Sequence, residues 1–511
     1  MAALASRSPL DFAPLDPVPP TAVDELPALL ARARDAQTLW AARPLSERME
    51  AVYKVKDRIL DRGDELSLLL RAECGKPLAE TWTAEVLPDA DLVEHWVDRI
   101  ETLLAPEDVA LDAMTYPAKA GQILAAPRGV VALITPWNFP VAIPLRTIVP
   151  ALLAGNAIVF KPSEHTPRAG AFVARLFDGL LPDGVLTLVQ GGGDVGDALV
   201  RSEVDLIVFT GSVPTGRKIA AAAAEHLVPV SLELGGKDAA IVLDDADLER
   251  TARGLVWGAF NNAGQNCASI ERVYVDRKVA RPLIERIVAL TRGLRVGDDV
   301  GPLTTEAQLA TVRRHVEAAE ASGALLLCGG RPTGQGYGYE PTVLEIPADR
   351  ESTPLMEEET FGPILPLVIV DGEEDAIRRA EATRFGLTAS VWTRSADRGR
   401  AIALRLRAGV VTVNNHGFTA ALPAAPWTGV GDSGFGVTNS RHALHALTRP
   451  RFVLVDRSRS KSELWWMPYT ASLVATARAL AVLRSSSRGF GAKLRALWML
   501  VTNAPKRLLG R

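Results

Sequence analysis

The feature that most constrains this chain is an alternation of short apolar runs and helical stretches across residues 128–234. Runs at 130–134, 157–160, 186–189, 205–209 and 228–234 are separated by segments with helical apolar spacing. Runs this short, rich in Val, Ile and Leu, predict parallel strands covered by helices on both faces. The alternation resumes after Gly235. Residues 239–243 and 272–275 read as strands, 281–294 as a helix, and 391–393 with 410–413 complete a second α/β unit.

No GxGxxG follows any of these strands. Instead Gly211, Ser212 and Gly216 follow the run at 205–209 and open a helix, which would aim backbone N–H groups at a phosphate. An ordinary Gly-Ser turn is the commoner meaning of that pattern alone. Lys161 and Glu164 follow the run at 157–160, where a dinucleotide ribose is usually read. A solvated surface pair is the alternative.

Residues 260–273, FNNAGQNCASIERV, carry the chemistry. The segment before them (248–260) is apolar at helical spacing, and Asn261, Asn262, Ala263 and Gly264 then break that pattern. Cys267 therefore falls in or near a turn among small and amide residues, where a thiol can reach a ligand. A single cysteine is more often an inert apolar side chain. Upstream, VSLELGGK (230–237) places Glu233 inside an apolar run, where burial should raise its pKa towards that of a general base. A strand-end carboxylate satisfied by Lys237 or by backbone is the plainer alternative. In TPWNFP (135–140) two prolines fix a non-helical segment around Asn138, a neutral donor. Thiol, carboxylate and amide can serve as nucleophile, base and oxyanion donor.

Six motifs together resemble the aldehyde dehydrogenase superfamily, in its NAD(P)-dependent, non-acylating branch. They are TPWNFP (135–140), KPSE (161–164), FTGSVPTG (209–216), LELGGK (232–237), FNNAGQNC (260–267) and ETFGP (359–363). They occur in the family's order, and the similarity spans roughly residues 20–456. The resemblance implies an α/β fold of two Rossmann-like domains with a small β extension for oligomerisation. By that likeness 21–108 and 127–234 bind NAD, 235–446 form the catalytic domain, and 109–126 with 447–456 supply oligomerisation strands of a homodimer or homotetramer.

The resemblance also assigns roles. Cys267 is the nucleophile, Glu233 activates water, and the Asn138 side chain with the Cys267 N–H holds the oxyanion. Thr135, Pro136 and Trp137, then Lys161, Ser163 and Glu164, line the cofactor site. Gly211, Ser212, Gly216 and Leu234 continue it, and Glu359 with Phe361 hold the nicotinamide ribose and ring. A carboxylate at Glu164 accepts hydrogen bonds from free ribose hydroxyls and repels a 2′-phosphate, so NAD is favoured over NADP. The reaction is aldehyde to carboxylic acid through a cysteine thioester, with no metal. The rivals are a CoA-acylating enzyme, which usually lacks the glutamate found here as Glu233, and a non-catalytic binding protein on the same fold. The family's Gly-Gly turn with a Lys near the C-terminal end is replaced here by Trp427–Gly434, WTGVGDSG. That departure, with His416, Phe418 and Trp427, lies where substrate-entrance residues are expected.

The rest of the chain is read by composition and pattern. Cys74, Cys267 and Cys328 are widely spaced and form neither a disulfide framework nor a CxxC pattern, which suits a reducing cytoplasm. Residues 1–20 are rich in proline and read as a disordered lead-in. Residues 21–101 read as a helical packing layer without chemistry. Nothing points to nucleic acid. The tail, 457–511, holds eleven Lys/Arg against Glu463 alone, a balance of +10, so the other 456 residues carry −13 of the chain's net −3. Leu494, Leu497, Trp498 and Val501 recur at helical spacing beside these charges. Two readings stay open: a tail packed on the body or a neighbouring subunit, and a surface for anionic lipid on the inner membrane face, which would suit an apolar aldehyde.

Overall fold

Val130–Ile134 is buried at every position, and its alternate residues enter different cores. Val131 and Leu133 join one apolar cluster; Val130, Ala132 and Ile134 join another. A β-branched run with two apolar faces can be satisfied only at the centre of a sheet covered on both sides. In the computed structural model it sits there. The order is Leu186–Leu188, Ala157–Lys161, Val130–Ile134, Leu206–Thr210, Val230–Glu233, all parallel. The chain leaves the central strand to one side and later returns to the other, which opens a crevice at the strands' carboxyl ends. Ile134 stands opposite both Lys161 and Phe209, so Thr135, Pro162 and Gly211 follow the strand ends at one edge of the sheet.

The structure describes residues 3–113, 115–463 and 465–508, the last five of these by backbone alone. Arg511 lies outside the described residues, as do the side chains of Lys506 and Arg507. Two compact units are formed: Met1–Ala105 with Ala125–Arg449, and Pro106–Leu124 with Pro450–Arg511.

The first unit holds a second sheet, in the order Leu325–Cys328, Thr342–Ile346, Ile364–Val370, Ile270–Asp276, Asp238–Val242, Thr388–Trp392, Val410–Val413. Its pairs are parallel except for the antiparallel edge hairpin Leu325–Cys328 with Thr342–Ile346. Only four residues, 234–237, link the last strand of the five-stranded sheet to Asp238–Val242. The helix Leu248–Phe260 is capped by Asp247, whose side chain accepts the Arg250 N–H at 3.1 Å.

Residues 3–20 differ from the disordered lead-in expected. Leu4 and Val18 exchange backbone hydrogen bonds of 2.8 and 3.0 Å, and Ser8 N–H donates to Ala13 O at 2.9 Å. Tyr337 N–H donates to Pro9 O at 2.9 Å, and Phe12 stacks edge-on against Tyr337. Backbone bonds to distant residues order a segment whose composition alone would not.

In the second unit Glu107–Val109, Lys119–Pro127 and Thr448–Asp456 form a three-stranded sheet with Thr448–Asp456 at its edge. Lys119 is paired with Asp456 at 3.0 Å and Glu463 at 2.7 Å. The tail forms two helices packed on each other, Ala471–Arg484 and Phe490–Leu508.

Candidate active site

The helix Leu248–Phe260 ends in three consecutive residues of left-handed backbone, Asn262 (φ 52°), Ala263 (54°) and Gly264 (69°). Such a run is costly for L-residues and persists only where its surroundings hold it. Here Asn262 Nδ2 donates to Asn138 O and to Gln265 O, each at 2.9 Å. A Cβ on Gly264 would lie 2.0 Å from Gly362 O, so only glycine fits. The turn turns the chain so that Cys267 faces a pocket of about 270 Å³.

Glu233 and Asn138 line the same pocket, with Trp137, Ile143, Glu359 and Phe361. Asn138 Nδ2 donates one hydrogen to Gln265 O at 3.1 Å, which leaves its second for the pocket. Its Oδ1 is buried without a partner. Glu233 ends its strand buried, and its Oε1 also lacks a hydrogen-bond partner. Burial raises its pKa to about 7 against the opposing pull of Thr438 and Arg146. Lys237 does not satisfy it. That ammonium is itself buried and pairs with Glu271. Burial also pushes the Cys267 thiol up, and the carboxyls of Asp238, Glu233 and Glu359 add to the rise.

A groove of about 630 Å³ continues from this pocket along the carboxyl ends of the five-stranded sheet. It shares Pro136, Trp137, Gly211 and Ser212 with the thiol pocket and adds Thr135, Lys161, Ser163 and Glu164. Two helix N-termini border it, at Gly193 and Val213. Ser212 caps the second, with Oγ accepting the Thr215 N–H at 3.4 Å. Lys161 is buried and lies 3.7 Å from the exposed Glu164. Burial lowers the Lys161 pKa, while Glu164 and Asp194 act against that.

The groove fits a dinucleotide. Thr135 Oγ1 is buried and unpartnered in its wall, and a Cβ on Gly193 would meet nothing within 4 Å. Aligned N–H groups at helix starts suit a pyrophosphate. Among the described residues no cluster of three or more His, Cys, Asp or Glu is placed to hold a metal ion.

Glu359 and Phe361 line the thiol pocket, which shares Trp137 with the groove. Glu359 Oε1 accepts the Gly236 N–H at 3.0 Å, and burial raises its pKa to about 8. Phe361 has φ 53° and meets Trp137 edge-on at 5.6 Å. Sequence reasoning missed the residues that hold this loop. Glu271 accepts the N–H groups of Thr360 and Phe361 at 2.8 Å each, and Gln308 Nε2 donates to their carbonyls at 2.7 and 2.9 Å. A glutamate in a buried strand (Ile270–Asp276) was the one available signal, since a buried charge demands partners. Gly192, Gly193 and Lys218 of the groove were missed as well.

Two expectations are adjusted. Gly216 does not line the groove. It lies inside the helix Val213–Glu225, where a Cβ would come 2.6 Å from Leu234, so it permits close helix–sheet approach. Of His416, Phe418 and Trp427, expected at the entrance, only Phe418 is exposed. His416 is buried with Nε2 2.7 Å from Ala268 O, and burial lowers its pKa to about 4. Trp427 is buried against Ala268 and Leu387, packed beside Cys267. Both brace the thiol loop from behind.

Comparison with known proteins gives consistent matches. The model described as "Aldehyde dehydrogenase family" matches residues 2–453. The 4,4'-diapolycopene aldehyde oxidase of Methylomonas sp is 35% identical over 478 residues, covering 92% of this chain and 89% of that protein. Betaine aldehyde dehydrogenase of Cereibacter sphaeroides is 39% identical over 439 residues, covering 84% and 88%. The crystal structure of PnpE in complex with nicotinamide adenine dinucleotide aligns with a TM-score of 0.86 at 30% identity, covering 91% of this chain and 96% of that one.

Proposed function

The chain belongs to the aldehyde dehydrogenase family and is an aldehyde-oxidising oxidoreductase; from that premise we propose that it converts an apolar aldehyde to its carboxylic acid with NAD, through a thioester on Cys267. The observation that carries this reading is the convergence of Cys267, Glu233 and Asn138 on one pocket that opens into the dinucleotide groove.

Thr135, Lys161, Glu164, Ser212, Glu359 and Phe361 would hold the dinucleotide. When bound, NAD supplies the hydride acceptor. Cys267 Sγ attacks the aldehyde carbon as a thiolate, its proton having passed to solvent. The oxyanion is held by the second Asn138 Nδ2 hydrogen and the Cys267 N–H. Collapse with loss of hydride leaves the acyl group on sulfur. Glu233 then takes a proton from water, the water oxygen attacks the thioester carbonyl, and the acid departs as the Cys267 thiolate is released. A glutamate with a pKa near 7 is suited to hold and return that proton at neutral pH. Glu164 favours NAD because its carboxylate would repel a 2′-phosphate.

Apolar substrates suit Trp137, Ile143 and Phe361 around the thiol. Relatives at similar identity carry the names of different aldehydes, so identity does not choose among them. We place the enzyme in the cytoplasm, where its three free thiols would persist. A homodimer or homotetramer would cover the sheet edge Thr448–Asp456, whose Phe452, Val453, Leu454 and Val455 are exposed.

The test is NADH formation with aldehydes differing in chain length and aromaticity. Turnover without added CoA supports the reading. Turnover only with CoA would make the enzyme acylating, and none with any aldehyde would leave a binding protein on this fold.

A further inference from the structure

The second unit carries a surface that the active site does not use. Its last helix, Phe490–Leu508, has two apolar faces of different kinds. Ala492, Ala496 and Leu500 recur every four residues, and Ala496 is buried. On the partner helix Ala471–Arg484, Thr476 and Ala479 are buried in turn. Small residues at such spacing let two helices approach closely. Phe490, Leu494, Leu497, Trp498 and Val501 recur on the other side of the helix and face solvent. Phe490 is 82% exposed and Trp498 71%. Met467 and Tyr469, in the connection before the helices, are exposed as well.

Large apolar side chains gathered on an outer face mark a surface that meets something. The charges say what. Lys493 and Arg495 lie on the same helix turn as Leu494, and Arg478 and Arg488 on the helix and turn before it. Within this unit and among the described residues, none of these four forms an ion pair, whereas Arg484 pairs with Asp112 at 3.7 Å. The segment's +10 balance is therefore largely uncompensated. A second copy docked on this face would bring like charges together, which disfavours self-association through it. A surface of lipid phosphates is complementary to those charges and accepts aromatic and aliphatic side chains at its boundary. No helix among the described residues is long and apolar enough to cross a membrane.

We propose that residues 457–511 dock the enzyme peripherally on an anionic bilayer, with Phe490, Leu494, Leu497 and Trp498 entering the interface and Lys493 and Arg495 meeting lipid phosphates. The long stems of those two residues can reach headgroups on either side of the inserted face.

The test is sedimentation of the full chain with phosphatidylcholine vesicles, with and without about one-third phosphatidylglycerol. The full chain should pellet with the anionic vesicles at low salt and stay in solution with the neutral ones. Binding should fall at least about tenfold at ~0.5 M salt, where the Debye length shrinks to a few ångströms. L494E/W498E should lower binding at least about tenfold while solution mass and NADH-forming activity stay those of the parent. K493Q/R495Q should bind less tightly and respond less to salt. A full chain that ignores anionic vesicles overturns the proposal, as does L494E/W498E pelleting like the parent. A change in oligomer mass for either variant, with vesicle binding retained, would assign the face to a second copy instead. Vesicle pelleting and solution mass need no substrate, so the proposal stands or falls separately from the reaction.

Discussion

The two ends of the crevice treat the same residue type in opposite ways. At one end Glu164 has a side chain 42% exposed and a lysine 3.7 Å away. At the other, Glu233 is 7% exposed with one oxygen unpaired, and burial carries its pKa to about 7. A wet, paired carboxylate can read a ligand's charge and hydroxyls. A dry, unpaired carboxylate can move protons, at a cost in stability that only function would retain. Under the proposed roles, recognition and chemistry would be separated along one groove by solvent access rather than by residue type.

Substitutions at the dry end should therefore strike turnover and those at the wet end cofactor choice. The largest effect is expected for Cys267→Ala. Turnover should fall at least about 10⁴-fold, as for loss of a covalent nucleophile, while NAD binding followed by calorimetry is retained. Residual turnover near the parent's would end the thioester route.

Glu233→Gln comes next, with a loss of roughly 10²–10⁴-fold. An NADH burst should remain with a slow steady state, because hydrolysis suffers most. In the parent, the hydrolytic rate should rise as pH climbs through about 7, where Glu233 loses its proton and becomes a base. In Glu233→Gln that rise should disappear. A burst lost together with the steady state would place Glu233 earlier, or in the architecture of the pocket.

Asn138→Ala should lower kcat by roughly 10²–10³-fold, the usual loss on removing one oxyanion donor. An unchanged kcat with raised KM would move Asn138 from chemistry to binding, and would blur the division between the two ends.

The smallest effect belongs to the wet end. Glu164→Ser should narrow the preference for NAD over NADP by on the order of tenfold, a solvent-screened charge interaction, with kcat for NAD little changed. Equal kcat/KM for the two cofactors in the parent would refute the role of Glu164.

Periodicity made much of the scaffold legible. The spacing over 248–260 matches the helix Leu248–Phe260, and the five runs of 128–234 all become strands of one parallel sheet. Three strands of the larger sheet were missed: Leu325–Cys328, Thr342–Ile346 and Ile364–Val370. The first of them is only partly buried and so has little apolar contrast to detect. At the site, a thiol in a turn and a carboxylate in an apolar run suggested Cys267 and Glu233, but it was the six motifs together that singled out these two with Asn138.

What the sequence determined by itself was whatever depends on neighbours along the chain: strand and helix periods, the turn that presents the thiol, and the excess charge of the tail. Tertiary structure decided the rest, because each remaining feature depends on groups far apart in sequence. Glu271 and Gln308 fix the loop of Phe361 across 90 and 53 positions. Lys237 is claimed by Glu271, which leaves Glu233 without that partner. Residues 3–20 are ordered by Tyr337, and Trp427 packs beside Cys267. Local periodicity reports which face of an element is apolar. It carries no information on which distant donor or acceptor will meet a buried polar group, and that pairing sets the protonation and geometry on which the chemistry depends.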